Sequence, residues 1–293
     1  MLTKRNRTTK VAAVGLCLAA GGLMLVQGVA LAQRGGRLVV KGSDTMLPIA
    51  QPWVQAYSQK NPNADINLTG GGSSTGLVAL INGTCDIANS SRRIRPRELQ
   101  QAKTRNIIIK EFPVCRDGLS IIVHPSNPLK SISVDDVRAI YVGQTNNWSQ
   151  VGGPTLKITA SGRDPSSGTY GFFQEDVLRN ARYRADMLST PSNNAIANNV
   201  AGDRGGIGYV GVAYAKAFEK AGKVKQIPVS FRRGGAPVEP TDANVQSGRY
   251  PISRYLYCYT AGAPKGLAGD YLNFVRSAEG QALVEKVGYV PLK

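Results

Sequence analysis

Short apolar runs alternate along the chain with segments of helical spacing. Leu38 to Lys41 reads as a strand, and Ile49, Trp53, Ala56 and Tyr57 then share one helical face that ends before Asn61-Pro62. Gly76 to Asn82 predicts a short helix stopped by Gly83, and Asp86 to Ser91 a strand running into a polar turn. The long apolar stretch Ile107 to Val123, broken by Pro113 and Asp117-Gly118, is long enough to pass from one lobe into another. Ser133 with Asp136 has the spacing of a capping box for a helix ending near Gly143. Ile158 to Ala160 and Gly206 to Val212 read as strands, and Tyr170 to Leu178 as a helix. Tyr255 to Tyr259 is strand-like, and one amphipathic helix is predicted from Tyr271 through Leu283 and Val284 to Val287. The alternation predicts an α/β fold. A chain that crosses to a second lobe and returns has a hinge, and hinged lobes suit a ligand cleft.

Three turns between a strand-like run and a possible helix start are clusters of Ser, Thr and Gly: Gly42-Ser43-Asp44-Thr45, Gly70-Gly71-Gly72-Ser73-Ser74-Thr75-Gly76, and Arg163-Asp164-Pro165-Ser166-Ser167-Gly168-Thr169. A helix start leaves about four backbone N–H groups unpaired and carries partial positive charge, so such turns suit an anion. Arg163, four residues before Ser167, adds a guanidinium able to donate two parallel bonds to an oxyanion. Taken singly, each cluster is equally a solvated loop; together they point to one small oxyanion.

Charge and address narrow the classes. Lys and Arg number 36 against 19 Asp and Glu, a net charge of +17. The first 32 residues read as an export signal: Lys4, Arg5, Arg7 and Lys10, an apolar stretch from Val11 to Leu31, and an A-x-A pattern, with cleavage expected after Ala32. A membrane anchor is the other reading of this stretch. Cys17 lacks the small preceding residue of a lipoprotein site. Removing four positive charges and no acidic residue from +17 leaves +13 on the mature chain. That excess implies anionic partners, and nucleic acid fits poorly because the clusters Arg92 to Arg97 and Arg232-Arg233 are short. Binding to anionic surfaces through general charge is a further reading, one that salt would weaken. Cys85, Cys115 and Cys258 allow at most one disulfide, and with His124 as the only histidine no metal site is expected.

Two motifs offer rival chemistry. Gly72 to Gly76 fits G-x-S-x-G with Ser74 as nucleophile, but the only base, His124, stands 50 residues downstream and no H-G-G-G stretch is present. Gly206 to Gly211 fits G-x-G-x-x-G without a preceding strand or a following acid at the right distance.

Taken in order, Gly42-Ser43-Asp44-Thr45 with Pro48, Gly72 to Gly76, Asp86 to Arg92, Asn147-Trp148, Arg163 to Thr169, Gly206 to Val210, Tyr250 to Arg254 and Gly288 to Leu292 resemble the periplasmic phosphate-binding proteins of the PstS and SphX type, which feed an ABC importer. The resemblance runs through essentially all of the mature chain. It implies a two-lobed, type II-like periplasmic binding protein whose lobes, 37–120 with 256–293 and 121–255, are joined by two crossover strands and close over a buried anion. It implies a monomer in the periplasm that hands inorganic phosphate to an inner-membrane ABC permease, with no cofactor, no metal, no nucleic acid and no reaction catalysed. Thr45 with its neighbouring backbone, Ser73, Arg163, Ser167, Gly168 and Thr169 are implied to line the phosphate, and Asp44, Ser74 and Ser91 complete the candidate set. The alternatives are a secreted serine hydrolase or phosphatase using Ser74, and a receptor for sulfate or molybdate.

One departure stands out. Some members carry an aspartate where this chain has Ser91, and that carboxylate accepts the proton phosphate retains near neutral pH. Asp44 is the candidate replacement, selecting by repelling fully ionised sulfate; its other reading is a helix cap.

Overall fold

The computed structural model describes residues 36–292, so the export signal expected over residues 1–32 lies outside the described residues. Among the described residues, eleven strands carry the fold: β1 (Arg37–Gly42), β2 (Asp65–Thr69), β3 (Ile87–Ser90), β4 (Ile109–Val123), β5 (Ile132–Ser133), β6 (Thr159–Arg163), β7 (Leu188–Thr190), β8 (Gly206–Gly211), β9 (Lys225–Ile227), β10 (Val229–Ser230) and β11 (Ser253–Ala261). Nine of them form one curled sheet in the order β2-β1-β3-β11-β4-β8-β6-β7, with β9 also on β4, while β5 and β10 pair separately.

The sheet has two halves because β4 changes partners along its length. Its first part, Ile109 to Gly118, runs antiparallel to β11, and its last five residues, Leu119 to Val123, run antiparallel to β8. β11 returns the chain across the same place, Ser253 opposite Gly118 and Arg254 opposite Asp117. Within this pair Leu256 faces Cys115 but Tyr257 faces Pro113, so Val114 is left out of register. A bulge beside proline is expected, because Pro113 has no N–H to give the ladder.

Helices cover both faces of each half, as the buried runs in the strands require. In the first half, α1 (Leu47–Lys60), α9 (Gly266–Arg276) and α10 (Ala278–Val287) lie over Leu38, Val40, Val114 and Leu256, with Trp53 and Tyr271 at the centre. On the opposite face Leu77 and Leu80 of α2 (Ser73–Ile81) meet Ala88 and Tyr259, and α3 (Pro96–Thr104) flanks them. In the second half, α4 (Val134–Tyr141) and α5 (Gly168–Phe172) bring Ile140, Tyr141, Phe172 and the adjoining Phe173 onto Leu119, Ile121 and Tyr209. On the other side α6 (Asn193–Gly202) and α7 (Val212–Lys220) pack Ile196, Val200 and Ala215 against Ile122 and Val210. The remaining helix, α8 (Asp242–Ser247), adds Val245 beneath β4.

Several sequence expectations appear at the expected positions. Ser133 Oγ accepts from the Asp136 N–H and opens α4. The G-x-G-x-x-G run is β8 itself, buried along its whole length. Two differ. The helix expected over Tyr170 to Leu178 starts at Gly168 and widens to a π-helical turn over Phe173–Val177. The single C-terminal helix is two, since Ser277 takes an extended conformation and caps the second through Oγ and the Gly280 N–H. Gly280 permits that sharp joint: a Cβ there would stand 2.2 Å from the Phe274 carbonyl oxygen. The Trp53 indole N–H then donates to the Gly280 carbonyl at 2.8 Å.

Cys85, Cys115 and Cys258 are buried free thiols. Burial pushes Cys85 and Cys258 up to about 12, which keeps them protonated. No helix among the described residues is long and apolar enough to cross a membrane.

Candidate anion site

The three Ser/Thr/Gly turns meet between the two halves of the sheet. Thr45 Oγ1 lies 2.9 Å from Thr169 Oγ1, joining the turn after β1 to the start of α5. Ser73, the first residue of α2, has its Oγ 3.3 Å from Ser91 Oγ, which in turn lies 3.4 Å from Thr169 Oγ1. The Ser74 N–H donates to the Ser166 carbonyl at 3.0 Å, tying the second turn to the third. Thr45, Ser73, Ser91, Ser167 and Thr169 are each no more than 2% exposed. Five buried side chains with hydroxyls at one place are costly unless something satisfies them.

These hydroxyls are oriented by what they already accept. A hydroxyl has one proton and two acceptor lone pairs, so one that takes a bond from a fixed donor keeps its proton for another acceptor. Ser73 Oγ accepts from the Ser91 N–H at 3.0 Å. Ser167 Oγ accepts from the Thr169 N–H at 3.1 Å as the cap of α5. Thr169 Oγ1 accepts from Arg254 Nη2 at 3.1 Å. Three protons are thereby left to donate.

Gly168 explains the closeness of this ring. A Cβ at Gly168 would lie 2.2 Å from Ser73 Oγ and 2.7 Å from Ser91 Oγ, so only glycine lets α5 approach the opposite half.

Two guanidinium–carboxylate pairs flank the hydroxyls. Arg163, 1% exposed, donates through Nη2 to Asp44 Oδ2 at 2.6 Å and to the Pro191 carbonyl at 2.8 Å. Asp44 Oδ1 accepts from the Gly71 N–H at 2.8 Å, so Asp44 holds turn two and Arg163 together rather than capping its own helical turn. Arg254 donates through Nε and Nη2 to Asp117 Oδ2 at 3.1 and 2.8 Å, with Phe172 beneath its plane at 5.1 Å. Desolvation raises the Asp117 carboxyl above its ordinary range, opposed chiefly by Arg254.

Eight buried side-chain nitrogens and oxygens among the described residues lack a hydrogen bond of ordinary geometry, and four belong to these pairs: Arg163 Nε and Nη1, Arg254 Nη1 and Asp117 Oδ1. Two more belong to Asn193, the first residue of α6, two positions after the Pro191 carbonyl that Arg163 engages. Buried donors without acceptors are rare, so Nε and Nη1 of Arg163 and Nη1 of Arg254, flanking the hydroxyls, mark a place built for an acceptor-rich ligand.

Ser74 stands apart from this ring. Its Oγ accepts from Arg92 Nη2 at 3.1 Å, and Arg92 is itself clamped by Glu98 at 2.6 and 2.8 Å. His124 Nδ1 is bonded to Ser126 Oγ at 2.8 Å in an exposed turn, so it does not reach Ser74. Among the described residues no cluster of His, Cys, Asp and Glu suits a metal. Hollows elsewhere, such as the one along β2 lined by Arg37, Gln51, Asp65 and Leu68, are open surface features away from the ring.

Arg254, Asp117 and Asn193 were not among the residues the sequence singled out for the site. Arg254 and Asp117 are 137 positions apart and meet only through the register of β4 and β11. A buried charge demands a partner, and Arg254 within the Tyr250 to Arg254 motif was the one available signal.

Comparison with known proteins places this geometry in context. The PBP superfamily domain matches residues 28–279. The phosphate-binding protein PstS of Pseudomonas aeruginosa is 33% identical over 279 residues, covering 88% of this chain and 83% of its own. Protein SphX of Synechococcus elongatus is 33% identical over 260 residues, covering 86% and 76%. Among solved structures, a Clostridium perfringens protein described as a phosphate ABC transporter substrate-binding protein, with bound phosphate, superposes with a TM-score of 0.78 at 26% identity over 88% of this chain and 100% of that one. An ABC-type phosphate transport receptor from Vibrio cholerae gives 0.72 at 25% identity, covering 87% and 100%.

Proposed function

From a chain that belongs to the PBP superfamily and is similar throughout to its PstS and SphX phosphate-binding proteins, we propose an exported receptor that binds inorganic phosphate and delivers it to an ABC importer. The observation that carries this reading is the buried ring of hydroxyls from three separate turns, set beside two guanidinium groups with buried donors that lack acceptors, Nε and Nη1 of Arg163 and Nη1 of Arg254. Stripping water from a multiply charged ion is very costly, so its oxygens must meet donors already in place. Hydroxyls oriented by their own acceptor bonds supply them without adding charge. Arg163 and Arg254 supply positive charge moderated by Asp44 and Asp117.

The lobes of this reading are 37–120 with 256–293 and 121–255, hinged where β4 and β11 cross. Ligand bonded from both sides favours the closed form, and that population shift is the signal a permease reads. The receptor acts as a monomer, catalyses no reaction, and is released by cleavage after Ala32. The placement of Ser74 on Arg92, away from the only histidine, supports binding over a serine hydrolase.

A thermal-shift series with phosphate, arsenate, sulfate and molybdate tests the reading, because a ligand bound only by the folded state raises stability by RT ln(1 + [L]/Kd). Phosphate is expected to raise the melting temperature most; a larger shift with sulfate or molybdate, or none with phosphate, counts against it. In Asp44→Asn, affinity for phosphate and sulfate is expected to fall together, since both Asp44 oxygens are engaged by Arg163 and the Gly71 N–H. A narrower phosphate-to-sulfate ratio would instead give Asp44 the discriminating role.

A further inference from the structure

The hinge and the anion site share one side chain. Asp117 and Arg254 face each other across the two strands that join the halves of the sheet, and both are almost wholly buried, their side chains 0% and 3% exposed. A structural ion pair would end there. Arg254 continues: after spending Nε and Nη2 on Asp117 Oδ2, it also donates from Nη2 to Thr169 Oγ1 at 3.1 Å. Thr169 lies in the first turn of α5 in the second half, and its hydroxyl also touches Thr45 of the first half at 2.9 Å. Arg254 Nη1 remains buried and without an acceptor.

We propose that Arg254 is a positioning residue of the anion site, anchored to the hinge by Asp117, that fixes the Thr169 hydroxyl as a donor to the bound oxyanion and so ties the hinge angle to occupancy. This inference rests on the phosphate reading above and extends it to a residue outside the three turns. The logic is one of proton direction. Without Arg254, the Thr169 hydroxyl is free to donate to Thr45 Oγ1 or Ser91 Oγ and to present a lone pair to the anion, which is repulsive. With Arg254 in place, one of the two lone pairs is occupied, which leaves the hydroxyl fewer orientations and favours those that keep its proton for the anion. A twist of β4 against β11 moves the guanidinium relative to α5, so this bond exists only over a narrow range of hinge angles.

The test is a double-mutant cycle on the mature protein, read by calorimetric phosphate titration of wild type, Arg254→Met, Thr169→Val and the double variant. Each single change is expected to lower phosphate affinity about 10- to 100-fold, the scale of a lost charge-assisted bond. The double variant is expected to be little worse than either single one, because both remove the same oriented donor. Losses that multiply, or unchanged affinity in Arg254→Met, overturn the inference while leaving phosphate binding intact. A wild type that does not bind phosphate overturns both. Arg254→Met leaves Asp117 buried and unpaired, so if it does not fold, Asp117→Asn with Arg254→Met carries the same cycle without an isolated charge. Small-angle scattering adds a readout that a purely structural role would not move. Saturating phosphate is expected to compact the wild type but to compact the Arg254 variant less, and equal compaction would overturn the link to the hinge.

Discussion

Replacing Arg163 by alanine is expected to lower phosphate affinity by about 3–5 kcal/mol, or roughly two to three and a half orders of magnitude, the scale of removing one partner of a buried charged pair. Arg163 is held in place before any ligand arrives: Nη2 bonds Asp44 and the Pro191 carbonyl, and its backbone N–H donates to the Tyr209 hydroxyl at 3.2 Å. Its remaining side-chain donors, on Nε and Nη1, are buried and have no acceptor in the protein. Alanine therefore removes the free N–H donors of two nitrogens and a full charge, and it also leaves the Asp44 carboxylate without its partner. Both effects act in the same direction. Isothermal titration of the variant against phosphate measures the loss, with its melting temperature showing that the fold survives. An affinity within threefold of wild type would remove Arg163 from the site.

Gly168→Ala is expected to separate binding from stability. The methyl would stand 2.2 Å from Ser73 Oγ and 2.7 Å from both Ser73 Cβ and Ser91 Oγ, distances that force the two halves apart. Gly168 is absent from the positive-φ glycines, so alanine meets no backbone strain there, and within a helix it gains about 0.5–1 kcal/mol over glycine. Overpacking a closed interface costs about 1–3 kcal/mol, so phosphate affinity is expected to drop about 10- to 100-fold. The ligand-free melting temperature should hold steady or rise. A variant that binds as tightly as wild type would mean that α5 and Ser73 do not close on the ligand.

How much of this was legible beforehand follows from what sequence can carry. The strand, turn and helix order around Thr45, Ser73 and Arg163 is local, encoded by apolar spacing and by glycines where a helix must start close to another chain segment. So is Ser133 capping α4. The split of the C-terminal helix at Ser277 was hidden, because Leu283, Val284 and Val287 keep the apolar face in phase across the joint; only Gly280, needed against the Phe274 carbonyl, hinted at it. Asp44 could be typed as acidic and near the turn, yet its engagement with Arg163, 119 positions away, depends on closure of one half upon the other. Arg254 and Asp117 belong to the same class. Their pairing is fixed by the strand register of β4 and β11, two pairs away from the bulge beside Pro113, and register over such separations is not written in either segment alone.

The buried nitrogens of Arg163 and the hydroxyls of Thr45, Ser73, Ser167 and Thr169 are, on this account, one coordination shell, with Arg254 behind Thr169. A crystal structure of the mature protein grown with phosphate tests that most directly. The account predicts a single tetrahedral ion between the two halves, within hydrogen-bond distance of Arg163 and of hydroxyls from all three turns. Phosphate bound at the outer surface, or a cleft in which those turns stand apart around the ion and touch it from one side only, would contradict it.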